Sequence, residues 1–191
     1  MLAALAACAP VPVLLEHQAP ATLHQEPAGY ERARVTRVVD GDTIEVTVIE
    51  RGDGAGAGVT APGAEYAVRL LGIDTPESVD PRSPVECFGR NSSAATSALL
   101  GGREVALVKD VEDVDRYDRL LRYVYIGGEM ANARLVVNGY AHAYTYPPNV
   151  RHADLFVQLE RDAREAGRGL WAPGACEGTG ASGLTQGASA S

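Results

Sequence analysis

Positive charge is scarce in this sequence of 191 residues. Lys109 is the only lysine, every other fixed positive charge is an arginine, and seventeen Lys plus Arg face twenty-five Asp plus Glu, a formal net charge of −8. That balance excludes a protein that grips polyanions by bulk attraction, and it predicts a weak long-range pull on nucleic acid with a shallow salt dependence. An all-arginine set suits bidentate contact with phosphate or carboxylate, although a GC-rich coding bias gives the same skew. Large aromatics are also few, with two Phe and one Trp, so a core must be built from Val, Leu, Ile and Tyr. The apolar share of 46% still excludes a wholly disordered chain. No run approaches the roughly 20 apolar residues of a membrane-spanning helix, and there is no internal repeat.

Cysteine is sparse too, at three residues. Leu5-Ala6-Ala7-Cys8 resembles the lipobox of bacterial lipoproteins, which makes Cys8 a lipidation candidate and residues 1–8 a partial signal segment. Only seven residues precede Cys8 and none is basic, so this reading places the true start upstream of Met1; chance in an alanine-rich stretch is the alternative. Residues 9–29 are Pro-, Ala- and Gln-rich without periodicity and read as a flexible linker, 30–176 as the folded domain, and 177–191 as a disordered tail. Cys87 and Cys176 remain as an even pair. In an exported protein they form a disulfide that stabilises by about 4 kcal/mol in the chain-entropy model; in a reducing compartment they are two unrelated thiols.

Arg34–Val39 and Ile44–Ile49 are β-branched and alternating, and Asp40-Gly41-Asp42-Thr43 between them carries hairpin turn chemistry. Residues 51–63, with five glycines and a proline, are a long connection to a third strand over Tyr66–Gly72. Glu104–Val108 and Leu120–Ile126 are two further strands, joined by an acidic run from Asp110 to Asp118 that reads as a solvated loop. Helices are predicted over Asn91–Leu100, over Met130–Val137, and over Asp154–Ala166, where the apolar positions recur at helical spacing. The fold expected is α+β and mainly β: a five-stranded barrel of the OB type with three α-helices.

Candidate chemistry gathers in loops at strand ends. Asp42 follows a turn, and Asp74 and Glu77 flank Thr75-Pro76; two carboxylates and a backbone carbonyl suit a hard cation such as Ca²⁺. Taken singly, each is an ordinary turn. Arg69 interrupts an apolar strand, where it either snorkels outward or meets a polar partner. Arg119 alone reads as a surface charge.

Val39-Asp40-Gly41-Asp42-Thr43, Val68 to Glu77 (VRLLGIDTPE) and Asp115-Arg116-Tyr117-Asp118-Arg119 together resemble the staphylococcal nuclease (thermonuclease) family, in order and at compatible separations. The likeness runs on through Asn132 to Ala141, Ala143-Tyr144-Thr145-Tyr146, Pro148-Asn149, His152 and Gly169-Leu170-Trp171. The resemblance implies a Ca²⁺-dependent phosphodiesterase, a hydrolase and endonuclease on an OB barrel. It cleaves DNA and RNA, single strands preferentially and with little sequence specificity, at the 5′ P–O bond to leave 3′-phosphates. By motif position, Asp42 and Asp74 match the carboxylate ligands of the metal and Thr75 the ligand through its carbonyl. Glu77 matches the general base, and Arg69 and Arg119 the phosphate clamp. Arg116, Tyr117, Tyr144 and Tyr146 match the substrate pocket.

Three departures from the family pattern bear on affinity and substrate preference. Asp118 stands where the family usually has glycine, the stretch from Ser78 to Glu86 carries Arg82 against Asp80 and Glu86 instead of lysines, and the 51–63 connection is longer and glycine-rich. The expected protein is a monomer, secreted or held at the cell surface through Cys8. A non-catalytic nucleic-acid or protein-binding module on the same barrel is the competing reading, and a surface lipoprotein whose acidic loops merely bind Ca²⁺ is a weaker one. The family often has a cis bond at the position of Pro148.

Overall fold

The computed structural model describes residues 15–20, 29–77 and 86–176. Cys8, the tail from residue 177, and Asp80, Pro81, Arg82 and Pro84 lie outside them. β1 (Glu31–Val38) and β2 (Thr43–Arg51) form the expected hairpin, with Val38 opposite Ile44. β2 pairs antiparallel with β3 (Glu65–Leu70), and β3 runs parallel to β6 (Leu120–Ile126). β6 pairs antiparallel with β5 (Glu104–Val108), which returns antiparallel to β1. The circuit closes a five-stranded mixed barrel, the OB-type architecture expected, and closure leaves these five strands without an open edge. Its interior is filled by Val35, Ile44, Val46, Val68, Leu70, Leu107, Leu120 and Val124, so the aliphatic core that the composition implies is what forms.

Three α-helices cover the barrel: α1 (Gly89–Leu100), α2 (Ala131–Val137) and α3 (Ala153–Glu165). α3 buries Phe156, Leu159 and Ala163 at helical spacing. In α2, Asn132 accepts the Val124 N–H and donates to the carbonyls of Leu71 and Arg122, bolting the helix to the barrel where β3 ends. The third strand stops at Leu70, short of the expected Gly72. Gly72 takes φ 79°, and a Cβ there would stand 2.2 Å from the Phe156 ring, so the chain turns under α3. It then forms the two-residue strand β4 (Ile73–Asp74), which pairs with β8 (His142–Ala143); β7 (Glu129–Met130) pairs with β6. Such short strands carry no period in sequence. A 3₁₀ turn, Gly169–Trp171, follows α3, and Cys87 and Cys176 form a disulfide. The Pro147-Pro148 bond is cis.

Two features differ from the reading of the sequence. β1 begins at Glu31 because Glu31 belongs to the inward row, where it meets Arg122 of β6; both side chains are 0% exposed. Arg122 Nε and Nη2 donate to the two Glu31 oxygens at 3.1 and 2.9 Å, and Arg122 also binds the Asp113 carboxylate. The glycine-rich connection after β2 is folded onto this ion group: Gly58 N–H donates to Glu31 and Val59 N–H to Asp113, both at 2.6 Å. A Cβ on Gly58 would stand 2.1 Å from Arg122 Nη2, which is why glycine fits there.

The second feature is a docked segment. Leu15–Pro20, within the stretch read as linker, lies against α2 and β7. Asn138 exchanges two hydrogen bonds with the His17 backbone (3.0 and 2.7 Å), Ala19 N–H donates to Glu129 at 2.6 Å, and Arg134 donates to the Leu15 carbonyl at 3.0 Å.

Candidate functional site

The end of β3, the turn into β4, the loop before β6 and the segment after β8 enclose a cleft of about 440 Å³. Arg69, Asp74, Asp115, Arg116, Tyr117, Arg119, Tyr144 and Tyr146 line it, together with backbone of the β3–β4 turn and Leu121. Arg69 stands in register with Thr43 of β2 on one side and Leu121 of β6 on the other, so the barrel ladder itself fixes where it emerges. The polar-partner alternative for this arginine is the one that forms. Its Nη1 lies 3.0 Å from Asp42 Oδ1 and its Nη2 2.8 Å from Asp74 Oδ1.

Asp42, 6% exposed, is held from several directions. Its carbonyl accepts Leu70 N–H, and its Oδ2 accepts both the N–H and the hydroxyl of Thr75 at 2.9 and 3.0 Å. Gly41 makes that approach possible, because a Cβ there would meet the Thr75 side chain at 2.7 Å. Thr96 of α1 closes the arrangement by donating to the Gly41 carbonyl at 2.6 Å. Glu77 follows two residues after Thr75; its N–H donates to Glu86 Oε2 at 3.0 Å and its carbonyl accepts Glu86 N–H at 2.8 Å.

Asp40, Asp42 and Asp74 thus crowd one guanidinium, leaving the cluster short of positive charge. Burial, and then the Asp42 charge, push the Asp40 carboxyl up to about 6, while burial raises Asp74 against the opposing pull of Arg69. A hard divalent cation suits that deficit. Among the described residues no three His, Cys, Asp or Glu side chains are grouped to hold a metal ion; with the two carboxylates Asp42 and Asp74, both on Arg69, an ion here could be held only if carbonyl and water oxygens completed its shell, a donor set that Ca²⁺ accepts.

The sign of the resulting pH dependence follows from Asp40. Folded, it keeps its proton up to about pH 6; unfolded, it releases it near 4. Folding therefore takes up a proton in that window, and the group's contribution to stability, complete at lower pH, is lost as pH rises through 6. Asp40→Asn keeps the acceptor for Asp42 N–H and removes the charge. Without metal it is expected to gain about 1–2 kcal/mol at pH 7, allowing for partial solvent screening, and nothing at pH 4. Equal gains at both pH values in thermal melts would contradict this.

On the opposite wall, the loop before β6 is less solvated than its acidity suggests. Asp115 accepts the N–H groups of Tyr117 and Arg119 on Oδ1 and the Arg119 guanidinium on Oδ2, at 2.7–3.0 Å. Burial alone would raise its carboxyl, but the hydrogen bonds from Arg119 and Tyr117 outweigh that and hold it below the usual range. Asp115 is the orienting residue that the sequence reading missed, although an Asp four residues before Arg119 in a turn was its available signal. Tyr117 stands exposed with the guanidiniums of Arg116 and Arg119 at 4.7 and 5.5 Å from its ring centre. Tyr144 and Tyr146 face each other at 6.5 Å. Between Tyr117 and Arg119, Asp118 has φ 61°, a left-handed conformation that glycine meets without strain and aspartate tolerates.

The cleft therefore collects Arg69, Asp74, Arg116, Tyr117, Arg119, Tyr144 and Tyr146, while Asp42, Thr75 and Glu77 are not among its lining residues; Asp42 is tied to it by the ion pair with Arg69, and Thr75 to Asp42. The family model described as "Staphylococcal nuclease homologue" matches residues 67–173. The thermonuclease of Staphylococcus intermedius is 38% identical over 137 residues, which cover 72% of this chain and 74% of that protein. The thermonuclease of Staphylococcus hyicus is 33% identical over 144 residues, 75% of this chain and 78% of its own. The endonuclease YncB of Bacillus subtilis (strain 168) is 34% identical over 137 residues, 71% and 59% of the two chains.

Proposed function

The chain belongs to the staphylococcal nuclease family, and on that premise we propose that it is a Ca²⁺-dependent nuclease that hydrolyses phosphodiester bonds of DNA and RNA. The observation that carries this reading is the facing of two anchored arginines, Arg69 and Arg119, across one cleft with a carboxylate cluster behind the first. In the mechanism, Glu77 accepts a proton from the attacking water. The water oxygen bonds to phosphorus as the P–O5′ bond breaks; the 5′ oxygen leaves with the bonding pair and takes up a proton from solvent, and the product keeps a 3′-phosphate. Arg69 and Arg119 donate to phosphoryl oxygens whose negative charge grows in the transition state, which stabilises it more than the ground state. Bound at Asp42, Asp74 and the Thr75 carbonyl, Ca²⁺ would supply Lewis-acid polarisation of the phosphoryl group.

Tyr117, Tyr144 and Tyr146 offer aromatic faces to unstacked bases, which favours single strands and little sequence preference. Arg116 adds a charge at the cleft mouth, and Asp118 opposes it, weakening affinity. Three carboxylates against two guanidiniums leave the apo site anionic, and a divalent cation reverses its sign, so the net charge of −8 is no bar to a polyanionic substrate. The protein acts as a monomer outside the cytoplasm, where the Cys87–Cys176 disulfide persists, anchored through Cys8 if that residue is lipidated. The test is incubation with single-stranded DNA in Ca²⁺ and then in chelator. Degradation that stops in chelator is expected; undiminished cleavage there rejects the metal dependence, and binding without cleavage in Ca²⁺ supports the non-catalytic module.

A further inference from the structure

Glu77 is anchored on its N-terminal side by Thr75, which is bound to Asp42, and on its C-terminal side by one residue nine positions along, Glu86. Glu86 clasps it through two hydrogen bonds, Glu86 N–H to the Glu77 carbonyl and Glu77 N–H to the Glu86 carboxylate. The next three residues are shaped to keep that clasp closed. Phe88 takes φ 71°, a left-handed conformation that a bulky residue rarely adopts, and its ring packs 5.7 Å from that of Tyr140. The turn is closed by Gly89 N–H donating to the Glu86 carbonyl. Gly89 also opens α1, and a Cβ there would stand 2.5 Å from the Glu77 carbonyl oxygen, so the missing side chain is what lets Glu77 approach the helix.

Cys87 sits inside this turn, adjacent to Glu86, and is cross-linked to Cys176 across 89 residues. Cys176 is itself placed by a hydrogen-bonded C-terminal stretch: Leu170 N–H donates to the Gly139 carbonyl, Arg168 to the Val137 carbonyl, and Ala175 N–H to the Ala172 carbonyl. The cross-link therefore ties the Glu86 turn to the end of α2, which Asn132 bolts to the barrel. An exposed carboxylate-to-backbone bond is weak alone; attached to a turn with few other conformations, it acts on a nearly fixed partner.

We infer that Glu86 and the Cys87–Cys176 disulfide are positioning elements for Glu77, so that hydrolysis by this protein depends on the oxidation state of that pair. The inference rests on the proposed role of Glu77 as the base. A dithiol reductant would break the S–S bond by thiol–disulfide exchange, giving up two electrons and two protons: its own two thiols close to a cyclic disulfide while Cys87 and Cys176 become thiols. Freed of the cross-link, the turn holds Glu77 less closely, and a general base displaced from hydrogen-bond reach of its water loses rate with little change in substrate affinity.

The test compares initial rates on single-stranded DNA in saturating Ca²⁺ for the oxidised protein, the protein treated with a dithiol reductant, Cys87→Ser/Cys176→Ser, Glu86→Ala and Glu86→Gln, each also in a Glu77→Ala background. Reduction, the double serine variant and Glu86→Ala are expected to lower kcat about tenfold or more with KM within twofold. Glu86→Gln, which retains the acceptor for Glu77 N–H, is expected to restore most of the rate. In the Glu77→Ala background none of these changes should lower the residual rate further, whereas a merely structural role would lower it by the same factor in both. Equal factors in the two backgrounds, or full activity after verified reduction, overturn the inference. If the oxidised protein itself has no nuclease activity, it is the proposed function that fails.

Discussion

Arg119→Lys is expected to lower kcat on single-stranded DNA by about a hundredfold or more, with KM changed far less and the fold intact. Removing one preorganised donor from a developing oxyanion costs on the order of 10² to 10³ in rate. Lysine keeps the charge yet loses the fork: Arg119 spends Nε and Nη2 on Asp115 and still has a planar group in the cleft, whereas one ammonium cannot hold Asp115 and span two phosphoryl oxygens together. Asp115 keeps its hydrogen bonds from the Tyr117 and residue-119 backbone in the variant, so the loop retains its shape. Initial rates with a thermal melt check this; a loss below fivefold would remove Arg119 from the transition state. The same argument applies to Arg69→Lys, where the guanidinium also bridges two carboxylates.

Glu31→Ala is expected to cost about 3–5 kcal/mol of folding stability, the usual penalty for removing one partner of a buried ion pair. Arg122 would remain at 0% exposure with only the partly exposed Asp113 carboxylate to balance it, and Gly58 N–H would lose its acceptor. Glu31→Leu combined with Arg122→Met should recover only part of the loss: the unpaired buried guanidinium is gone, but the Gly58 N–H still lacks its acceptor and Asp113 loses its ion-pair partner. Urea unfolding of the three proteins measures it. A loss below 1 kcal/mol for the single change would mean that solvent reaches the pair.

How far these features could be read from the sequence depended on whether their causes were local. β5 and β6 have the bounds expected, since runs such as Leu120–Ile126 advertise themselves whatever surrounds them. The three helices lie within two residues of expectation, and the charged and aromatic side chains of the cleft other than Asp115 are singled out as candidates in the sequence. What stayed hidden was decided at a distance. Nothing near Glu31 announces Arg122, ninety-one residues on, and an inward glutamate at a strand start looks like an exposed one. The glycines of the 51–63 connection read as freedom, yet Gly58 is required by the two charged groups against it. The acidic run looked solvated although three of its partners, the Arg119 and Arg122 guanidiniums and the Tyr117 N–H, lie close in sequence; hidden were the turn that brings them onto Asp113 and Asp115 and the Val59 N–H, which arrives from 54 residues away.

The docked segment Leu15–Pro20 is a third case of this kind, and it bears on where the folding unit begins. Asn138, Glu129 and Arg134 hold only main-chain atoms of residues 15, 17 and 19. These bonds ask nothing of the side chains, but burial does: Ala19 is 3% exposed within the core and Leu15 packs against it, so position 19 takes a small apolar residue and position 15 an apolar one. Proline at 17 or 19 is excluded as well, since it removes a donated N–H. A shortened chain started at Tyr30 would leave Glu129 and Asn138, both nearly buried, without these partners. The folding unit thus includes residues 15–20, held by α2 and β7, and deletions that remove them are expected to lower the yield of folded protein.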